Sequence, residues 1–351
     1  MKDKQIQTNT NKKYNNIDAL RTFGCLAIVA WHVKANLQFN LTEGVAERVI
    51  SSFDYLVYLF MIISGFGMCN GYYPKLKNGN YDLNKFYSRR YKKILPFFAI
   101  LIILECVIDP KLNNIYEGLL EITMLFGFLP NNNLSVIGVA WTLGVIFVYY
   151  IIFPFIIFLL YNKRRGIITF FISLGITFMC QEYFMTEEFV ANNFVMRHSF
   201  LFCLPYFLCG GLIYLYRNEI ENIVNRHKLC CFIICVSLSA VYLLSPDKII
   251  EFDIIVPKTL VLYTSWICLM LGEKDILFSN RFTGFISKIS MEIYLAHMVV
   301  FRIVEKLHVP KMFGQTFLGY IFVYVVVVML LITGISLYIK LQKHMEKIYR
   351  L

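Results

Sequence analysis

The chain has 351 residues, of which 58% are hydrophobic and 16% charged, with a mean hydropathy of +0.60. Soluble domains carry about a quarter charged residues, so a soluble enzyme is excluded and the class is an all-α polytopic membrane protein. The net charge of +11 does not indicate nucleic acid, because the cations gather in alternate loops, as membrane topology requires.

Residues 1–16, MKDKQIQTNTNKKYNN, form a basic polar tail. No small-residue cleavage site follows the first apolar run, so the sequence predicts an uncleaved signal-anchor. The first span, 17–36, contains DALRTFGCLAIVAWHVK, with Arg21 and His32 inside it. Ionisable residues are costly in hydrocarbon and are functional suspects unless they sit near an end. Arg21 is near enough to the cytoplasmic end to snorkel. His32 is eleven residues on, about 20° past three full turns and about 16 Å higher, so both lie on one face at two depths. The plain alternative for His32 is a core histidine bonded to a neighbouring helix.

The second span is 53–73. A loop then carries KFYSRRYKKILPFF (85–98), with Lys85, Arg89, Arg90, Lys92 and Lys93 ahead of Pro96, where the third span (94–109) is expected to begin. Such a stretch is either a positive-inside anchor or a phosphate site using cations beside a helix start. Residues 115–130 have two internal glutamates and are expected outside, as a half-helix or surface helix. Further spans are expected at 139–160, 167–184, 198–216, 229–245, 254–272, 285–305 and 314–340, ten in all, followed by a tail at 341–351. The ninth contains ISMEIYLAHMVVF, where Tyr294 and His297, three apart, share a face and Glu292 does not. The ten cysteines read as buried small hydrophobes; neither a disulfide framework nor a metal site is expected.

With the N-terminus inside, the cytoplasmic segments hold 23 Lys and Arg and the outer ones 6. Both termini are therefore expected in the cytoplasm.

Five stretches, taken in order over about residues 15–340, resemble the acyltransferase-3 family of integral membrane acyltransferases. They are the pair Arg21 and His32; FMIISGFGM with Ser64, Gly65 and Phe66; RRYKKILP, where Arg90 matches and Lys93 replaces a second arginine; WTLGVIFVYYIIFP with Trp141, Leu143, Val145, Tyr150 and Pro154; and YLAH with Tyr294 and His297. Ile146 and Val148 stand where many members carry glutamate and glutamine, so no acidic role carries over to them.

The resemblance implies O-acylation of surface glycans or glycolipids by a multi-pass plasma-membrane protein using cytosolic acyl-CoA, acetyl-CoA above all, and no metal. It assigns the CoA phosphates to Arg90 and Lys93, helped by Arg89 and Lys92. Arg21 would contact the same ligand or orient the acyl carbonyl. His32 would be the general base or carry the acyl group covalently, with the base favoured. His297 and Tyr294 would orient His32 or stabilise the oxyanion. Ser64 and Trp141 are substrate-binding candidates, Trp141 having interfacial anchoring as its plain alternative. The outer stretches PNNNLS (130–135) and 186–194 are candidates for sugar hydroxyls. No soluble hydrolase-like domain is expected after the last span. Two other classes compete: a transporter of a lipid-linked or small anionic solute, although the inverted repeats typical of one are not seen, and a non-catalytic relative.

Overall fold

The structure is a computed structural model that describes residues 13–37, 44–79, 81–129, 136–186, 188, 195–244, 252–272, 280–312 and 316–348. Among the described residues it is helical, with no strand. The helices are α1 (Asn15–Leu37), α2 (Val45–Ser52), α3 (Leu56–Lys77), α4 (Leu83–Ile108), α5 (Leu112–Ile122), α6 (Trp141–Leu159), α7 (Lys163–Met179) and α8 (Phe200–Leu215). They continue with α9 (Arg217–Arg226), α10 (Lys228–Leu244), α11 (Phe252–Gly272), α12 (Arg281–Lys288), α13 (Ser290–Lys306), α14 (Val309–Met312) and α15 (Phe317–Ile348).

A helix stands at each position read as a span. Five stretches are long and apolar enough to cross a bilayer outright, and the number rises to seven if α8–α9 (bent by 72°) and α12–α13 (bent by 70°) each count as one span. The difference from ten lies in α1 and α4, whose helices include Asp18, Arg21 and Lys34, and Lys85 to Lys93, and in α10, which has 17 residues. The expected surface helix is α5, 11 residues long, with Leu112, Ile115, Tyr116 and Leu119 exposed.

The basic stretch after α3 is not a loop. Residues 85–98 lie inside α4, which begins at Leu83 and is capped by the Asp82 carboxylate accepting from the Asn84 N–H at 2.8 Å. Buried Phe86, Ile94, Phe97 and Phe98 recur at helical spacing and hold it against the bundle. Pro96 falls mid-helix, where it costs one backbone bond to the carbonyl of exposed Lys92. The helix-start donors expected beside Arg90 and Lys93 are therefore absent from that position.

Among the described residues the interior divides into two large apolar clusters and a small one at Val224, Cys235 and Leu269. One large cluster is built mainly by α3, α8 and α11; the other by α4, α13 and α15. Helices α1 and α6 supply residues to both: Ile28 and Val145 to the first, Val29 and Leu143 to the second. They form a seam. Apolar burial does not by itself drive helix association in lipid, so close packing must. A Cβ at Gly65 would stand 2.0 Å from the Phe207 carbonyl oxygen, and one at Gly210 would stand 2.0 Å from that of Ile62. These two glycines let α3 and α8 touch backbone to backbone.

Candidate active site

α1 and α13 run side by side in the same direction. The Thr22 hydroxyl donates to the Thr283 carbonyl (2.8 Å), Cys25 Sγ lies 3.2 Å from the Ser290 carbonyl oxygen, and the rings of His32 and His297 meet at 4.6 Å. Seven residues separate Cys25 from His32 and Ser290 from His297, two turns in each helix. The face predicted for Arg21 and His32 is thus the one turned to α12 and α13.

At the Arg21 end, on the seam, lies a cavity of about 280 Å³. Among the described residues four cations line it, Arg21, Arg90, Lys93 and Lys288, and no Asp or Glu does. Arg21 is held by Asp18 at 3.3 Å, and Asp18 also accepts from the Ser287 hydroxyl at 2.9 Å. The Arg90 guanidinium sits 4.8 Å from the Tyr72 ring and 5.1 Å from the Tyr150 ring. Such rings favour a cation over their faces and fix the plane of the fork. Its Nε is buried without a hydrogen-bond partner. Lys93 is one turn on and lines the same cavity, as do Ser64 and Tyr294. Arg89 and Lys92 are exposed and outside the lining, Arg89 reaching the Tyr81 hydroxyl at 3.3 Å. Ile146 lines the wall, so the position where an acid is common adds apolar surface among the cations.

Tyr294 links the cavity to the histidines. Its hydroxyl pairs with that of Thr142 at 2.6 Å, and its backbone carbonyl accepts from His297 Nδ1–H at 2.5 Å. A carbonyl can only accept, so His297 carries its proton on Nδ1. Nε2 is buried and has no hydrogen-bond partner. His32 is half-buried between Trp31 (4.5 Å) and His297. Neither histidine lines the cavity.

Trp141 is buried and is not an exposed anchor: it is 8% accessible and stacks on His198 at 4.5 Å and 20°. The Arg197 guanidinium lies 5.6 Å from the same ring and pairs with Asp54 at 2.8 Å. Burial alone would lower the Arg197 guanidinium, but Asp54 outweighs it and the net shift is upward. Burial, then Arg197, pushes the His198 imidazole down to about 4, so it is a neutral ring at neutral pH. The start of α6 is fixed from the other side by Glu121, which accepts from the Val136 N–H at 3.0 Å, and by Gly127, whose Cβ would stand 2.2 Å from the Gly144 carbonyl oxygen.

Thr142, Lys288, Arg197 and His198 were not singled out from sequence. Thr142 hides in an apolar run, and Lys288 falls near the start of the expected span 285–305, where a cation can snorkel. The signal for Arg197 and His198 was their adjacency next to a span. PNNNLS lies outside the described residues, as do 187 and 189–194.

A sequence model described as an acyltransferase domain matches residues 14–337. An uncharacterized protein of Haemophilus influenzae is 29% identical over 198 residues, which is 48% of this chain and 78% of that protein. No solved structure matches the chain.

Proposed function

Because this chain belongs to the acyltransferase-3 family of membrane acyltransferases, we propose that it moves an acetyl group from cytosolic acetyl-CoA to a hydroxyl of an extracytoplasmic glycan or glycolipid. It does so from the plasma membrane, with both termini in the cytoplasm. The observation that carries this reading is the seam itself: a cavity with four cations and no acid at one end, two imidazoles in contact at the other, and Tyr294 belonging to both.

The cavity holds phosphate oxygens through Arg21, Arg90, Lys93 and Lys288, Arg90 offering the planar fork that suits bidentate contact. Ser64, in the same wall, is a further contact for the donor. The thioester carbonyl lies at Tyr294 and Thr142, whose hydroxyls stabilise the developing oxyanion. His32 takes the proton of the acceptor hydroxyl, the acceptor oxygen bonds to the carbonyl carbon, and the C–S bond breaks to release the CoA thiolate, which is then protonated. His297, its tautomer fixed by the Tyr294 carbonyl, orients His32. Trp141, held by His198 and Arg197, forms part of the acceptor side.

Reconstitution in proteoliposomes with labelled acetyl-CoA inside and a glycan acceptor outside tests the reading. Label should reach the acceptor, and His32→Ala should abolish transfer with protein levels intact. Solute flux without CoA binding would establish the transporter instead.

A further inference from the structure

A second recess lies beside the cavity. It is a groove of about 650 Å³ between the start of α1 and α12, lined by Lys13, Asn15, Asp18, Arg281, Phe285 and Lys288. Lys288 lines both spaces. Asp18, the carboxylate in the groove, is already engaged by Arg21 and Ser287, two residues of the cavity wall. The two recesses are therefore joined through shared or bonded side chains.

Their sizes decide what each can hold. Pockets that enclose a drug-sized ligand run to about 300–1,000 Å³, and the cavity is just under that range. It takes part of a nucleotide thioester and leaves the rest outside. The groove offers what the remainder needs. Lys13, Arg281 and Lys288 are exposed cations, and Phe285, 41% accessible, presents an aromatic ring. Arg281, Phe285 and Lys288 follow at helical spacing along one face of α12. Between them, a Cβ at Gly284 would meet nothing within 4 Å, so the groove floor is open backbone. Cations beside an accessible ring are the recognition set for a phosphorylated nucleoside, phosphate on charge and base on ring.

Resting on the acyl-CoA reading above, we infer that this groove binds the adenosine end of the donor with its 3′-phosphate, while the cavity takes the pyrophosphate and the acylated arm.

Two variants test it. Lys13→Ala combined with Arg281→Ala removes exposed charges, and Gly284→Leu puts a side chain into the groove from a position where an added Cβ meets nothing within 4 Å. With acetyl-CoA as donor, each should raise KM about tenfold with kcat nearly unchanged. With S-acetylpantetheine, which carries the thioester without phosphates or adenosine, KM should not move. Adenosine 3′,5′-bisphosphate should bind the unmodified protein and bind both variants more weakly. KM values that rise together for the two donors, or that do not rise for either, overturn the inference. So do variants that alter only the response to vesicles containing phosphatidylglycerol, which would assign the groove to anionic lipid. Failure of the acyltransferase reading is a separate result: the unmodified protein would then transfer from neither thioester, whereas bisphosphate binding reads the groove without turnover.

Discussion

The two ends of the α1–α13 seam are built on opposite electrostatic plans. At the Arg21 end, four cations face one cavity and no carboxylate lines it; the one acid bonded to this wall, Asp18, holds Arg21 from outside the lining. At the His32 end, the cation Arg197 is matched by Asp54 and the ring beside it, His198, is neutral at neutral pH. Asp18 offsets Arg21, and Glu292 lies within electrostatic reach of Lys93, but four cations gathered on one partly enclosed space still favour a polyanion. Two imidazoles in ring contact, one of them held by a backbone carbonyl, suit moving a proton more than holding a charged ligand. On the proposed function, one helix carries a donor-holding residue and the base, eleven residues apart.

The sharpest way to break this contrast is at the histidine. His32→Ala is expected to lower transfer by about 10²–10⁴-fold while labelled acyl-CoA still binds; lost donor binding would merge the two ends into one site. Next comes the cavity. Arg90→Ala should weaken CoA binding by about 10–100-fold, and Arg90→Lys should recover only part, because an ammonium has no fork. Titration calorimetry reads both, and an effect confined to kcat would contradict a donor-holding role. Tyr294→Phe and Thr142→Val, which act where the ends meet, should each lower kcat about tenfold, the rate equivalent of roughly 1 kcal/mol for one hydrogen bond. Together they should cost little more than either alone; full additivity would mean that the two hydroxyls act separately.

The smallest effect concerns His198. Its proton affinity is depressed from 6.5 to about 4 in the fold, so between those values the unfolded chain binds a proton that the folded chain does not. Stability should fall as pH falls through that window and level off below it. His198→Phe should flatten this part of the curve of melting temperature against pH, and an unchanged slope would show that the ring is not held neutral.

Much of this was legible in the sequence because it rests on local periodicity. The spacing of Arg21 and His32 set their common face, and Tyr294 and His297 fell three apart for the same reason. Arg90 and Lys93 were visible as cations, but which of the five basic residues faces inward depends on α4 continuing through Pro96, which a rule placing proline at helix starts misses. Thr142, Lys288 and the Arg197–Asp54 pair needed tertiary structure, since their partners lie on other helices. The bend between α12 and α13 was equally hidden: it turns Ser287 and Lys288 toward the cavity at a point where the sequence reads as one span. The count of ten expected spans exceeds the five to seven that length and apolarity alone pick out, because helicity and apolarity separate in α1 and α4, which are helical throughout yet carry charges.

The bond between the Thr142 and Tyr294 hydroxyls bears on waste. A thioester held within reach of a base is exposed to water as well as to acceptor, and each hydrolysed donor is lost to the cell. Tyr294 lines the cavity and reaches His297 through its backbone carbonyl, while its hydroxyl meets Thr142, so on the proposed function a change at the hydroxyl leaves the histidine's bond in place. On the proposed function, the ratio of acceptor acylation to free acetate, more than the turnover rate, is the quantity that loss of this hydroxyl pair should change.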